Sequence, residues 1–232
     1  MKRDLGHAYD YLRIVEMLVA AGRDVDALGW AREGLFVFED DPDDRLVAAA
    51  LPLFDRAGFT AEADRLVWAS FTAQLSRTLF DRLMERTEAT MRADVADRAI
   101  AHLEQRLARA GRGDTRRWSH IDLLIDLLTE RGRHAEAWAA VDRFETPGTA
   151  GAVQRLIEAS LDSHSERATR IWRRRVEDLV SSGGNRNYET AHALLARLSA
   201  VATRSGTAED HSAHVADLRI RHKAKQNFMK LF

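Results

Sequence analysis

NYETAHALLARLSAVATRSG, Asn187–Gly206, places Tyr188, Ala191, Leu194, Leu195 and Leu198 three or four residues apart. That spacing gathers them on one face of a helix. Asn187 stands where an N-cap is wanted and Gly206 where a helix ends. Thr207 is the expected cap of a final helix, which includes HVADLRIRHKAKQNFMKLF (His214–Phe232). The unit is helix, glycine, helix, and it recurs upstream in looser form.

Three other segments carry the same wording: LVAAGRDVDALGWAREGL (Leu18–Leu35), RAGFTAEADRLVWASF (Arg56–Phe71) and LLTERGRHAEAWAAVDRF (Leu127–Phe144). In each, a glycine permits a tight turn and an alanine-rich second helix permits close approach. Taking Gly22, Gly58, Gly132 and Gly184 as turn glycines gives intervals of 36, 74 and 52 residues. The first is near the repeat length of tetratricopeptide-type hairpins, about 34 residues, and the second is near its double. We therefore expect an all-α fold of stacked antiparallel helical hairpins, a tetratricopeptide-like α-solenoid of 11–12 helices with insertions. Such units bury their apolar faces by stacking and leave a concave surface. A compact helical bundle is the competing architecture.

Between the repeated segments, the acidic stretch Glu39–Asp44 around Pro42 reads as a loop that feeds anions to the next helix start. Pro52 marks a kink or a late start of that helix, and Thr60 is an expected cap. Further helices are expected at Thr72–Arg86, Ala93–Ala110, Ala152–Leu161 and His164–Ser181, the last opened by a Ser163/Glu166 capping box. Gly111 and Gly113 break the chain, as does TPGTAG (Thr146–Gly151). One helical-repeat domain is expected over 1–232, with natural points of subdivision at 111–117 or 146–151.

Composition supports the helical reading: 45% hydrophobic and 31% charged residues, 3 prolines, and no alternating apolar run. A net charge of −1 gives no global field for nucleic acid or a membrane. The chain has no cysteine, which excludes disulfides and thiolate metal sites within it. The N-terminal residues lack an apolar core of signal-peptide length, so the cytoplasm is the expected compartment.

The ending Lys223, Lys225, Asn227, Phe228, Met229, Lys230, Leu231, together with the Tyr188–Leu198 helix, resembles the C-terminal end of bacterial SWIM zinc-finger proteins. That family closes on a Tyr/Ala/Leu-patterned helix and a basic Lys-Arg-Asn-Phe-Met-Lys-Leu-Leu type ending. Here Gln226 interrupts the ending and Phe232 follows it. The resemblance covers about the last fifth of the chain, and the cysteine-free sequence carries none of the family's zinc ligands. It implies the family's helical portion alone.

No catalytic, cofactor or metal site is expected. His211 and His214 lie three apart on one helical face, with His222 beyond, and a solvated or half-buried face is the preferred reading. The five tryptophans read as core or groove lining. The first expectation is a non-enzymatic protein-interaction module with unidentified protein partners. Its candidate contacts are Arg170, Arg173 and Arg174 beside Trp172, and the tail residues Lys223, Lys225, Phe228 and Met229. The tail reads either as an anchor or as a helix docked on the preceding hairpin, docking being preferred. The alternative function is a nucleic-acid-binding accessory domain using Arg170–Arg175 and the basic tail.

Overall fold

The computed structural model describes residues 5–110 and 114–232, so the expected breaks at Gly111 and Gly113 lie outside the described residues. Among the described residues all regular structure is helical: thirteen α-helices and one 3-10 turn, with no strand. The chain forms two compact units, Met1–Leu124 and Ile125–Phe232, and the division falls inside one helix.

The first unit comprises α1 (Ala8–Ala20), α2 (Asp24–Val37), α3 (Asp44–Arg56), α4 (Thr60–Gln74), α5 (Arg77–Arg86), a 3-10 turn (Ala89–Met91), α6 (Arg92–Arg109) and the start of α7 (Arg117–Glu130). Helix α1 packs on α2 and α3, and α4 packs on α5 and α6. Contact with the next helix and the next but one is the arrangement of stacked hairpins. The second unit holds the rest of α7, α8 (His134–Arg143), α9 (Gly151–Ser160), α10 (Ser165–Ser182), α11 (Asn185–Ser205), α12 (Ala208–Arg221) and α13 (Gln226–Met229). There α8 packs on α9, while α11 receives α10, α12 and α13.

Four hairpin turns share one hydrogen-bonding pattern. The N–H of Arg23, Phe59, Arg133 and Thr207 donates to the carbonyl of Leu18, Phe54, Leu128 and Ala202, at 2.9, 2.8, 2.9 and 2.8 Å. The preceding glycines, Gly22, Gly58, Gly132 and Gly206, sit at φ of 69–79°. This is the left-handed C′ position at which a glycine ends a helix and a bond closes from C″ to C3. The fourth member is Gly206 and not the expected Gly184. Gly183 and Gly184 instead join α10 to α11 with extended ψ values. With that correction the intervals become 36, 74 and 74 residues. Five residues beyond each glycine stand Ala27, Ala63 and Ala137, all fully buried, and then His211. A methyl side chain there lets the second helix close on the first; the fourth hairpin seats an imidazole in that place.

Several boundaries differ from expectation for local reasons. The expected helix Thr72–Arg86 is broken by Leu75, at φ 54°, whose side chain is buried. Ser76 then caps α5 by accepting from the Leu79 N–H at 3.3 Å. Helix α3 runs unbroken through Pro52, whose ring faces outward, and Asp43 fixes its start by accepting from the N–H groups of Arg45 and Leu46. Ser163 donates to the Ser160 carbonyl instead of capping α10. Asn187 lies inside α11 and donates to the Gly183 carbonyl. Neither Thr60 nor Thr207 provides a side-chain cap.

The tail is not a continuation of the last long helix. Helix α12 ends at Arg221, and the short α13 turns back onto α11. Phe228 is completely buried, with Tyr188 and Phe232 at ring-centroid distances of 5.6 and 5.1 Å. Among the described residues no helix is long and apolar enough to cross a membrane.

Candidate functional site

In the first unit, α4, α5, the 3-10 turn and α6 enclose a groove of about 670 Å³. Val67 and Leu83 are buried beneath it, because both belong to the apolar faces that pack these helices together. Trp68, one position after Val67, is rotated about 100° from it and reaches the groove half-exposed. Val95 on α6 and Met91 in the 3-10 turn line the same space, Met91 being 48% exposed. The Arg98 guanidinium lies over the Trp68 ring, 4.6 Å from its centroid. That stacking presents the indole with a cation on one face. At the rim Arg86 donates to Asp55 at 2.7 Å and to Asp64 at 2.8 Å, tying three helices together. The hydrogen bond from Arg86 holds the Asp55 carboxyl below its usual range. The groove offers an apolar floor, a flat aromatic and a fixed charged rim.

In the second unit the sequence-expected arginines part company. Arg170 and Arg174, one turn apart on α10, line a cleft of about 660 Å³ together with the Thr146–Thr149 segment and α8. Arg173 points elsewhere and donates to Asp210 at 2.7 Å. Trp172 is buried; its indole N–H donates to Gln154 at 3.3 Å and Arg197 covers its ring at 4.6 Å. That tryptophan belongs to the core.

The expected tail contacts are mostly inward. Phe228 is inaccessible where it sits, and Met229 is half-buried. Lys225 donates to the Ser181 carbonyl at 3.1 Å and stands 6.0 Å from the Tyr188 ring centroid. Lys223 is exposed. The tail thus docks on the α10–α11 pair, and Phe228 cannot contact a partner without leaving its seat.

His211 is buried and His214 half-buried, and burial lowers both pKa values, with Arg173 adding to the effect. His222 pairs with Glu177 at 2.8 Å. Among the described residues no three His, Asp or Glu side chains are placed to hold a metal ion.

The groove is only half legible in the sequence. Trp68 is among the tryptophans expected to line core or groove, but Met91 and Val95 fall in the stretch between Phe71 and Ala110, where periodicity is weakest. An exposed methionine beside a helix start is the one signal that could have marked it. No protein-family model matches the chain, and no curated protein matches it.

Proposed function

We propose that the chain is a non-enzymatic, helical-repeat protein-interaction module, working in the cytoplasm and resembling the helical C-terminal part of a SWIM zinc-finger protein. The observation that carries this reading is the α4–α6 groove, with half-exposed Trp68 and exposed Met91 above a packed floor. A half-exposed tryptophan and an exposed methionine lining one groove are the residue types that anchor interfaces, and methionine adapts to more than one apolar partner. The ligand class that fits is a peptide segment placing one or two apolar side chains against Trp68, with an acidic group toward Arg98. The alternative, a nucleic-acid contact along α10 and the tail, draws on fewer cations than the sequence offers. Arg173 is committed to Asp210 and Lys225 to a carbonyl.

The test is selection of peptides from a random displayed library on the folded chain, repeated on Met91→Glu. The expected result is a family of peptides sharing an apolar anchor that bind the natural chain and fail on the variant. Met91 is exposed and outside the α-helices, so the variant retains its fold. Selection that yields no peptide, or only peptides indifferent to Met91→Glu, overturns the reading.

A further inference from the structure

The cleft beside α10 is a second site, independent of the groove. We propose that it binds a phosphomonoester dianion carried on a small organic group.

Arg167, Arg170, Arg174 and Arg175 all line this cleft. They stand at intervals of three, four and one on a single helix, and like charges three or four residues apart repel. Two of them are partly neutralised. Arg167 pairs with Asp142, while Arg170 reaches Glu166 only at 3.6 Å and with both side chains largely in solvent. Arg174 and Arg175 form no ion pair among the described residues, although Asp178 is close in sequence and also lines the cleft. A cluster of four guanidinium groups gathered around one cavity, two of them outside any ion pair, fits an anion from outside the chain. Guanidinium forks match the oxygens of a phosphate, which accepts several charge-assisted bonds at once.

The opposite wall is the Thr146–Thr149 connector, where Gly148 is half-buried and Thr149 exposed. Their N–H groups make no bond among the described residues, so they can donate to a ligand in the cleft. Gly148 also fixes the width of the cleft: a Cβ there would lie 2.7 Å from Cγ2 of Ile171 on α10. The connector therefore rests directly against the helix that bears the arginines. Val141, Pro147 and Ile171 give the cleft an apolar side. A bare inorganic ion makes no use of that side, whereas an organic phosphate does. Glu145 and Asp178, the remaining carboxylates of the lining, oppose the anion and set a limit on its affinity.

The experiment titrates the full chain with phenyl phosphate by calorimetry at low ionic strength, alongside inorganic phosphate and a single-stranded DNA oligonucleotide. Saturable binding of phenyl phosphate, tighter than that of inorganic phosphate, is expected. Arg174→Gln and Arg175→Gln should each weaken it about tenfold, the loss expected for one charge-assisted contact. Asp178→Asn should strengthen it. Circular dichroism confirms that the variants fold; the two arginines are exposed or half-buried and contribute no core. No saturable binding of phenyl phosphate, or binding unchanged in both arginine variants, overturns the proposal. So does binding of the oligonucleotide in the absence of phenyl phosphate binding, which would make α10 a nucleic-acid surface instead of a closed anion site.

Discussion

Helix α2 contains two glycines, and replacing each by alanine should move stability in opposite directions. An alanine Cβ at Gly34 would lie 2.7, 2.8 and 2.9 Å from Cγ, Cβ and Cδ1 of Tyr11. Ordinary carbon contacts are about 3.5–4.0 Å. Those Tyr11 atoms are at the root of the side chain, where no bond rotation carries them far. The ring itself is 2% exposed, held between Trp30 and Phe38 at 6.0 and 6.1 Å. The substitution must therefore force α1 and α2 apart or drive Tyr11 from its rotamer, an overpacking cost of about 1–3 kcal/mol. Against this stands the gain of about 0.5–1 kcal/mol that alanine brings over glycine inside a helix. The net effect is a loss of up to about 2.5 kcal/mol. Gly29 is exposed on the same helix, and nothing lies within 4 Å of the point an alanine methyl would occupy, so Gly29→Ala keeps the gain alone. The helix gain is common to both, so the two variants should differ by the overpacking cost alone, about 1–3 kcal/mol. Equilibrium urea unfolding followed by tryptophan fluorescence separates them, with midpoints about 1 M apart for a slope of the usual size. If Gly34→Ala unfolds at or above the natural midpoint, close approach at Tyr11 is not what fastens the first hairpin.

Phe228→Ala should destabilise the second unit by about 3–5 kcal/mol, the cost of emptying a fully buried aromatic site, and should raise protease sensitivity after Lys223; an unchanged unfolding midpoint would mean that the tail is not docked. Asp43→Ala removes the acceptor for two N–H groups at the start of α3 and should cost about 1 kcal/mol, read as a lower melting temperature. Acid should weaken the second unit through His211 and His214. Burial holds both below the ordinary 6.5, as do the nearby Arg173 and, for His214, Arg221, outweighing Asp210 and Glu177. The unfolded chain then binds more protons than the folded one as pH falls past about 6.5, so stability is complete above that value and declines through the depressed folded values. His211→Ala, which installs the residue found at the other three turns, should flatten the decline between about pH 7.5 and 5.5; an equally steep profile would remove His211 as its source.

The helices were legible wherever apolar spacing alone decides them. Helices α9 and α10 fall within one residue of expectation at each end, and so does α6, although it lies in the weakly periodic stretch before Ala110. Turns were legible where glycine or proline announced them. Leu75 adopts a left-handed conformation that its own chemistry disfavours, held there by burial of its side chain, and nothing in its neighbourhood in the sequence signals this. Gly184 and Gly206 look alike as letters; which one closes the repeated turn depends on whether the next residue's N–H finds the carbonyl five residues back. The arginines show the same limit at the site. Arg173 and Arg174 are adjacent, yet the first is bound by Asp210, 37 residues away, and the second is left in the cleft. Sequence shows the cluster, and only packing separates its members.

The connectors of the fold differ in how much length they can yield. The turns at Gly22, Gly58, Gly132 and Gly206 leave two or three residues between helices, each bound into a fixed hydrogen-bond pattern, so an inserted residue would destroy the turn. The connectors at 38–43 and 144–150 are longer, and the second is bound in the same way only at its start, where Glu145 sits at φ 51° and the Thr146 N–H donates to the Val141 carbonyl at 3.0 Å. Length variation therefore has few places to go, and one of them is the wall of the arginine cleft. There, adding or removing a residue would reshape the seat opposite Arg174 while leaving every helix in register. Ligand preference could thus drift in this chain independently of its stability.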